Sequence, residues 1–324
     1  MAQHSKPVLG VDVSQKQLDL IFWSEQAGQR SRQFANSPAG ISALQSWLQK
    51  HSSGPVHICM EATSVYWEEL AETMHAAGHR VSVVNPVRIK GYAMSQLRRS
   101  KTDPLDAQVI ADFCRTQRPD PWQPPTAEQK KLRALVRHLE TLKKSRTQQR
   151  NRLATCRDEE VKASLDILLA TIEAQIAQIE QRIRDFIAQD PDLKEKKELL
   201  QSIKGFGETT AIHILAEMYD LPNYLNAKAA AADAGVTAAH FRSGSSVRRR
   251  SKMSRMGKAA IRSALHFPAI TAIRFNPVVK QLAQRLQARG KHKAVIRVAA
   301  MRKLMHLAYG VLKNKQPFDP AYAA

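Results

Sequence analysis

The chain has 324 residues, of which 43% are hydrophobic and 24% are charged, a composition typical of a folded globular protein. No apolar run approaches the roughly 18 residues of a membrane span, and the first residues lack the apolar core of a signal peptide. We therefore expect a cytoplasmic protein with no membrane partner. Three cysteines without a CxxC spacing predict neither a disulfide framework nor a zinc site.

The net charge of +21 is concentrated in one part of the chain. Between Ala234 and Phe318 there are 19 Lys or Arg and no Asp or Glu, whereas the remaining 31 basic and 29 acidic residues nearly balance. Solvated surfaces usually mix both signs, so this segment predicts a polyanionic partner, with nucleic acid favoured over an acidic membrane surface. The aromatic content of 6% favours backbone contact with a duplex over stacking on single strands.

The N-terminal region predicts a sheet with helices packed against it. Residues 7–23 form two apolar runs joined by a polar turn, with Asp12 inside the first run, and a third strand is predicted over 30–36. A helix begins at Ser37 and Pro38, a strand ends in Glu61, and a helix over 64–78 precedes a strand over 79–86. Glu61 lies at the carboxyl edge of its strand, where α/β proteins tend to place their sites.

The stretch KTDPLDA, residues 101–107, places two acids three residues apart. The spacing is that of a helix start, with Asp103 as the N-cap, Pro104 as the first helical residue and Asp106 as the acid of a capping box. The same spacing projects both carboxylates on one helix face, where they could hold a metal ion. The two interpretations are compatible.

Four acids therefore have related contexts, and they are Asp12, Glu61, Asp103 and Asp106. Acids from a first strand, a later strand and a helix are the layout of ribonuclease H-like nucleases, which bind divalent metals for phosphoryl transfer. Two carboxylates about 4 Å apart repel by roughly 4 kcal/mol at an effective dielectric of about 20, so such a cluster needs a cation or a raised pKa. An all-oxygen ligand set predicts Mg²⁺.

These motifs resemble a known family. GVDV, ICMEAT, Asn85-Pro86 and KTDPLDA are similar to the N-terminal domain of insertion-sequence transposases whose RuvC-like domain carries a DEDD tetrad, the group described as bridge-RNA-guided recombinases. The resemblance implies that the catalytic, metal-binding tetrad falls on Asp12, Glu61, Asp103 and Asp106. Asp19 and Asp112 match no tetrad position, and we interpret them as structural.

The middle of the chain predicts a linker followed by two long helices. Residues 119–129 are Pro-rich. Apolar residues then recur in steps of three and four, first at Leu132, Leu135, Leu139 and Leu142 and then at Leu165, Leu169, Ile172, Ile176, Ile179, Ile183 and Phe186. The heptads leave two arrangements open, a hairpin within one chain or a coiled-coil interface between chains. The resemblance favours the second, in a homo-oligomer that forms a dimer assembling to a tetramer.

Residues 202–218, SIKGFGETTAIHILAEM, fit a helix-hairpin-helix pattern. Gly205 and Gly207 would let the turn bring backbone N–H groups to a phosphate, next to the positive end of the second helix. A plain glycine-containing turn between two helices is the alternative. The basic segment that follows favours contact with DNA.

Residues 241–262 contain Ser243, Ser245 and Ser246 among eight Lys or Arg. From the residues alone, a flexible phosphate-binding loop is as good an interpretation as a catalytic one, because no general base is evident from the spacing. The resemblance implies that RSGSSVR is a transposase signature whose first serine, Ser243, forms a covalent phosphoserine link to DNA, with Ser245 and Ser246 held in reserve. The predicted nucleic-acid contacts are Gly205, Gly207, Arg242, Arg248, Arg249, Arg250, Lys252, Arg255 and Lys258.

We therefore predict a ribonuclease H-like α/β domain over 1–121, a linker and coiled-coil helices over 122–190, and a basic, mainly helical transposase domain over 191–324. The predicted function is RNA-guided, Mg²⁺-dependent transposition by a site-specific recombinase that binds donor and target duplexes and a structured guide RNA, and that associates with the nucleoid. Two alternatives stay open at this point: a Holliday-junction resolvase that uses water and no serine, and a non-catalytic nucleic-acid-binding protein.

Overall fold

The protein is described from a computed structural model that covers residues 7–96, 103–239, 242–243, 247–248, 252–254 and 256–321. The chain divides into two compact units, Met1–Pro125 and Thr126–Ala324. The first division thus falls four residues after the predicted domain end at 121. The predicted middle segment and the predicted C-terminal domain together make up the second unit. No helix in the described part of the chain is long and apolar enough to cross a membrane.

The first unit is built on a five-stranded sheet with the order β3-β2-β1-β4-β5. Neighbouring strands β1, β2 and β3 are antiparallel, whereas β4 runs parallel to both β1 and β5. This mixed arrangement is compatible with the predicted ribonuclease H-like fold. The strands are β1 Val8–Val13, β2 Gln17–Ser24, β3 Gly28–Ala35, β4 His57–Glu61 and β5 Arg80–Val84.

Four helices cover the two faces of this sheet: α1 Pro38–His51, α2 Glu68–Ala76, α3 Pro86–Ser95 and α4 Asp103–Gln117. Ser37 caps α1 by accepting a hydrogen bond from the Gly40 N–H, as predicted, and Asn85 caps α3 in the same way. Helix α2 begins four residues later than predicted. Helix α4 is described from Asp103 onward, and the residues directly before Asp103 lie outside the described residues, so its predicted role as the N-cap stays a prediction.

The alternation of side chains along the strands assigns the helices to faces. Leu9, Val11 and Met60 join the core formed with α1 and α2, whereas Val8 and Cys59 pack with α3 and α4. Gly10 faces α4 as well, and a Cβ there would lie 2.3 Å from the backbone nitrogen of Ala111 and 2.5 Å from the Ala107 carbonyl oxygen. The absence of a side chain at position 10 therefore allows α4 to pack directly on β1.

The second unit begins with a helical hairpin made of α5 Ala127–Thr155 and α6 Glu159–Gln189. A complete capping box of Thr126 and Gln129 starts α5, so the last residues of the predicted linker are helical. Leu132, Val136 and Leu139 of α5 share one buried core with the heptad positions of α6 from Ile172 to Ile183. The heptads are thus buried within one chain, the first of the two predicted arrangements. The intermolecular coiled coil stays a prediction.

The remaining helices of the second unit share one hydrophobic core with this hairpin. They are α7 Pro191–Gln201, α8 Glu208–Glu217, α9 Ala227–Asp233, α10 Ala259–Ala264, α11 His266–Phe275, α12 Pro277–Ala288 and α13 Lys293–Asn314, with a 3₁₀ turn over Leu221–Asn223. Among the described residues between α9 and α10 are the strands β6 Ala238–Ala239, β7 Arg242–Ser243, β8 Val247–Arg248 and β9 Lys252–Met253. Strand β6 pairs with β9 and β7 pairs with β8, both antiparallel. We call the segment from β6 to β9 the serine ribbon.

Candidate active site

Sheet register places two of the predicted tetrad acids side by side. Strands β1 and β4 pair in parallel, with Val11 opposite Met60, so that continuing the register by one residue sets Asp12 beside Glu61. Paired residues of neighbouring strands lie about 4.8 Å apart. Asp12 is two residues from Gly10 and Glu61 is two residues from Cys59, so both side chains belong to the face that α4 covers.

Helix α4 runs back along the sheet and brings its first turn to the same edge. Near its C-terminal end, the Cys114 thiol donates to the His57 carbonyl at 3.5 Å, at the start of β4. The middle of α4 lies over Gly10, which contacts the backbone of Ala107 and Ala111. The first turn, which carries Asp103 and Asp106, is consequently directed toward the strand ends that carry Asp12 and Glu61.

The donors gathered here are carboxylates, and hard oxygen ligands are those that Mg²⁺ prefers. Asp12, Glu61 and Asp106 are all partly exposed, so the edge is accessible from solvent. The side chain of Asp103 lies outside the described part of the structure. Among the side chains that are described, no three His, Cys, Asp or Glu form a group that could hold a metal ion. The oxygen donors are of the type that Mg²⁺ prefers, but the described side chains are not arranged as a metal-binding group, and the binding of the ion stays a prediction.

Asp19 was interpreted as structural, and the structure places it next to the site. It is the cross-strand partner of Asp12 in the β1–β2 pair, it is buried, and it accepts a hydrogen bond of 2.9 Å from Gln33 Nε2 on β3. The sequence signal for this position is the alternation of residues along β2. It places Asp19 on the same face as Ile21, which packs against Ala107 and Ala111 of α4. Asp112 lies 3.8 Å from Arg115 on the exposed side of α4.

Ser243, the predicted nucleophile, is the second residue of β7 and pairs with Val247 of β8. Its backbone is therefore paired in a two-stranded ladder. Only the backbone is described for Ser243 and for the predicted DNA contacts Arg242, Arg248 and Lys252. The remaining predicted residues of this segment lie outside the described residues, and they are Ser245, Ser246, Arg249, Arg250 and Arg255.

Two predicted nucleic-acid contacts have a structural explanation of their own. Gly205 has a φ of +112° and packs against α11, where an added Cβ would lie 2.9 Å from the Ala272 Cβ. The ammonium of Lys258 points inward, 2.7 Å from the Glu217 carbonyl oxygen and 3.2 Å from the Asp233 carboxylate. By contrast, Gly207 is the N-cap of α8, and a Cβ added there would meet nothing within 4 Å. Contact with phosphate stays a prediction for all three.

Comparison with known proteins now defines the family. Residues 9–159 match a family model described as a transposase, of the IS110 DEDD type, and residues 197–284 match the model of the transposase IS116/IS110/IS902 family. The chain is 33% identical to the pilin gene-inverting protein of Moraxella bovis over 318 residues, which covers 97% of this chain and 98% of that protein. The chain belongs to the IS110 family of transposases.

The same identity and coverage relate this IS110-family chain to the pilin gene-inverting protein of Moraxella lacunata. Family membership identifies the chain as a transposase or recombinase enzyme whose substrates are DNA. It also confirms the predicted resemblance at the level of the insertion-sequence transposases. The first matched region covers the sheet unit and α5. The second runs from within α7 to within α12.

Proposed function

We propose that this IS110-family transposase is a site-specific DNA recombinase that joins itself to DNA through Ser243 and depends on Mg²⁺ held by Asp12, Glu61, Asp103 and Asp106. The observation that carries the proposal is the shared edge of the first unit. There the register of β1 and β4 and the direction of α4 gather acids that are far apart in sequence. Carboxylates that converge at one edge can hold the divalent ions that catalyse phosphoryl transfer.

In the proposed reaction the chain's own residues perform the group transfer. The Ser243 hydroxyl oxygen attacks a DNA phosphorus, an Oγ–P bond forms, and the bond from phosphorus to one deoxyribose oxygen breaks. The serine proton leaves the nucleophile, and the released sugar oxygen ends as a hydroxyl. Bound Mg²⁺ would supply charge neutralisation at the phosphate. The carboxylates would hold the ion, and the basic side chains around Ser243 would orient the DNA backbone.

The names of the relatives extend the proposal to the outcome of the reaction. The two Moraxella proteins are named for the inversion of a pilin gene. We propose by analogy that this chain cuts and rejoins DNA at defined sites, in donor and target duplexes. Site choice would come from a structured RNA, because base pairing supplies sequence specificity that a phosphate-binding protein lacks. Recombination should then be lost when the DNA that flanks the gene is removed, and unchanged recombination would refute RNA guidance.

The competing function is a resolvase that hydrolyses DNA with water. It is favoured by one observation, namely that the acid edge is contained in a compact unit of its own, separate from Ser243. This alternative needs the acids and no serine. Replacement of Ser243 therefore separates the two functions.

The test is a search for a covalent protein–DNA adduct on denaturing gels, with the protein expressed beside its natural flanking DNA. We expect wild type to form an adduct that Ser243→Ala abolishes. The matched control is Ser263→Ala, which removes the hydroxyl of an exposed serine on α10 and should leave the adduct unchanged. Cleavage without an adduct in wild type would favour the resolvase. Binding with neither cleavage nor adduct would favour a non-catalytic protein.

A further inference from the structure

The serine ribbon leaves the body of the second unit through a narrow pair of chain segments. The Lys258 N–H donates to the Asp233 carbonyl at 2.7 Å, and four residues nearer the ribbon the Ser254 N–H donates to the Thr237 carbonyl at 2.8 Å. Strands β6 and β9 continue the same pairing. We call the residues Asp233, Gly235, Thr237, Ser254, Gly257 and Lys258 the neck.

Two glycines allow the two sides of the neck to approach each other. Gly257 has a φ of +108°, and a Cβ there would lie 2.4 Å from the Asp233 carbonyl oxygen and 2.6 Å from the Gly235 nitrogen. Gly235 also has a positive φ, of +69°. Residues other than glycine rarely adopt such positive φ angles. The two sides of the neck are thus in close backbone contact at Gly257, and glycine is needed there.

Side chains then hold the base of the neck to the helical body. Lys258 Nζ lies 3.2 Å from Asp233 Oδ2, and the Tyr224 hydroxyl donates to the same oxygen at 2.6 Å. Lys258 Nζ also donates to the carbonyl of Glu217, the last residue of α8, at 2.7 Å. The Asp233 carboxylate therefore receives two donors from different directions, and Lys258 reaches from the ribbon side of the neck to α8.

The Glu217 end of this network is fixed as well. Its carboxylate is 6% exposed and accepts two hydrogen bonds from Arg137 of α5, at 2.7 and 2.9 Å. Burial alone would raise the pKa of Glu217, but these bonds together with the positive charges of Arg137 and Lys258 hold it below its usual range. The contacts run from the helical hairpin through α8 to the base of the ribbon.

Stability alone is a poor explanation for the contact between Lys258 and Asp233. Their side chains are 33% and 38% exposed, and ion pairs with that degree of exposure contribute little to folding free energy. The pair joins the two sides of the neck to each other at the base of the ribbon. Ser243 follows the neck along the chain, in β7, so a change in direction at the neck would change the position of Ser243.

We propose that Lys258, together with Asp233 and Tyr224, is a positioning residue that aims the serine ribbon, and that it is not a DNA phosphate contact. The proposal rests on the proposed role of Ser243. Misplacement of a reacting group by about 1 Å can cost on the order of 100-fold in rate. Loss of the Lys258 ammonium should therefore slow attack by Ser243 while leaving DNA binding unchanged.

The experiment compares Lys258→Met, Lys258→Arg and Tyr224→Phe with wild type in single-turnover adduct formation. Reaction rate at saturating DNA is measured separately from the DNA concentration that gives half the maximal rate. We expect Lys258→Met to lower the saturating rate at least tenfold with the half-saturating concentration unchanged. Lys258→Arg should recover most of that rate, and Tyr224→Phe should show a smaller loss. The matched control is Lys196→Met, which removes a lysine of the same unit from its surface ion pair with Asp192.

Binding of duplex DNA at several salt concentrations provides the decisive contrast. A phosphate contact would make Lys258→Met bind more weakly and would reduce the log–log salt slope by about 0.9, whereas a positioning residue leaves the slope unchanged. A reduced slope overturns the proposal, and so does a wild-type adduct rate in Lys258→Met.

If wild type forms no adduct, the proposed role of Ser243 is wrong. Amide hydrogen exchange then tests independently whether Lys258 holds the neck. Exchange at residues 252–254 should accelerate in Lys258→Met and not in Lys196→Met. Equal exchange in both variants would refute the neck as well.

Discussion

The two units of this transposase position their proposed catalytic groups by different means. In the first unit, Asp12 and Glu61 are placed by strand register and Asp106 by a helix that packs on a glycine. In the second unit, the Ser243 backbone pairs with Val247, and we propose that side-chain contacts of Lys258 at the neck set the direction of the ribbon. The proposed acid site thus rests on sheet register, and the proposed position of Ser243 rests on side-chain contacts.

The two arrangements should respond differently to substitution. A sheet edge tolerates change at many positions because its geometry is shared among many backbone hydrogen bonds. If the neck sets the direction of the serine ribbon, single substitutions at residues that hold the neck should alter the position of Ser243. Tyr224 and Glu217, which contact the neck residues Asp233 and Lys258, lie well before the ribbon in the chain.

The largest loss of adduct formation is expected from a substitution at the acid edge of the first unit. Asp106→Asn removes a charge but keeps the size of the side chain, and it should lower adduct formation about 100-fold or more if the carboxylate holds Mg²⁺. Asp112→Asn makes the same change two turns along α4 and should retain wild-type activity. Equal activity of the two variants, measured in the same adduct assay, would remove Asp106 from the site.

The hairpin core provides the next largest effect. Ile176 is buried among α5 and α6, and Ile176→Ala should lower the free energy of unfolding by about 2–4 kcal/mol. Ile167 of the same helix is 72% exposed, and Ile167→Ala should change it by less than about 0.5 kcal/mol in the monomer. Denaturant melts test both. A large loss at Ile167 together with a lower oligomeric mass would show that the outer face of α6 is an interface between chains.

Arg137→Ala tests the ion pair that anchors the neck network. It leaves the Glu217 carboxylate buried without its two hydrogen bonds, at a cost of about 2 kcal/mol after allowance for the exposure of the arginine. Because the pKa of Glu217 is lowered in the folded state, the pair stabilises wild type above the unfolded pKa of about 4.5 and less as the pH falls through the folded value. The gap in melting temperature between wild type and variant should therefore narrow on acidification. A constant gap would contradict the assignment.

A smaller effect is expected where α4 meets β1. Gly10→Ala introduces a methyl group into backbone atoms of Ala107 and Ala111, and it should destabilise the first unit by about 1–2 kcal/mol. It should also lower adduct formation, since the first turn of α4 carries two acids. Gly91→Ala is the control, because it lies in α3 with open space around it and should be neutral or slightly stabilising. Full activity in Gly10→Ala would show that the packing of α4 does not set the site.

The sequence allowed prediction of the parts that depend on local patterns. Alternation and caps such as Ser37 gave the order of strands and helices in the first unit, and heptads gave α5 and α6. The motif TAEQ at Thr126 is a capping box that indicates a helix start, but the prolines before it favour the linker assignment. Local pattern therefore determined which elements form.

Contacts between distant segments were not predictable in the same way. Lys258 appeared in the sequence as one cation among eight, and only the fold shows its ammonium directed at Glu217 and Asp233. Asp19 was readable as a strand residue, but its place beside Asp12 follows from the pairing of β1 with β2. Gly205 is predicted to contact phosphate, and the fold adds a steric reason for glycine there, because an added Cβ would lie 2.9 Å from the Ala272 Cβ.

The most direct test of covalent catalysis is to identify the modified residue itself. The wild-type protein–DNA adduct would be isolated under denaturing conditions, digested with protease and nuclease, and analysed by mass spectrometry. We predict a nucleotide attached to the peptide that contains Ser243, at that serine. A nucleotide on Ser245 or Ser246, or an adduct on another residue, would contradict the assignment of the nucleophile, and unmodified peptides across residues 241–262 would contradict a serine intermediate in this segment.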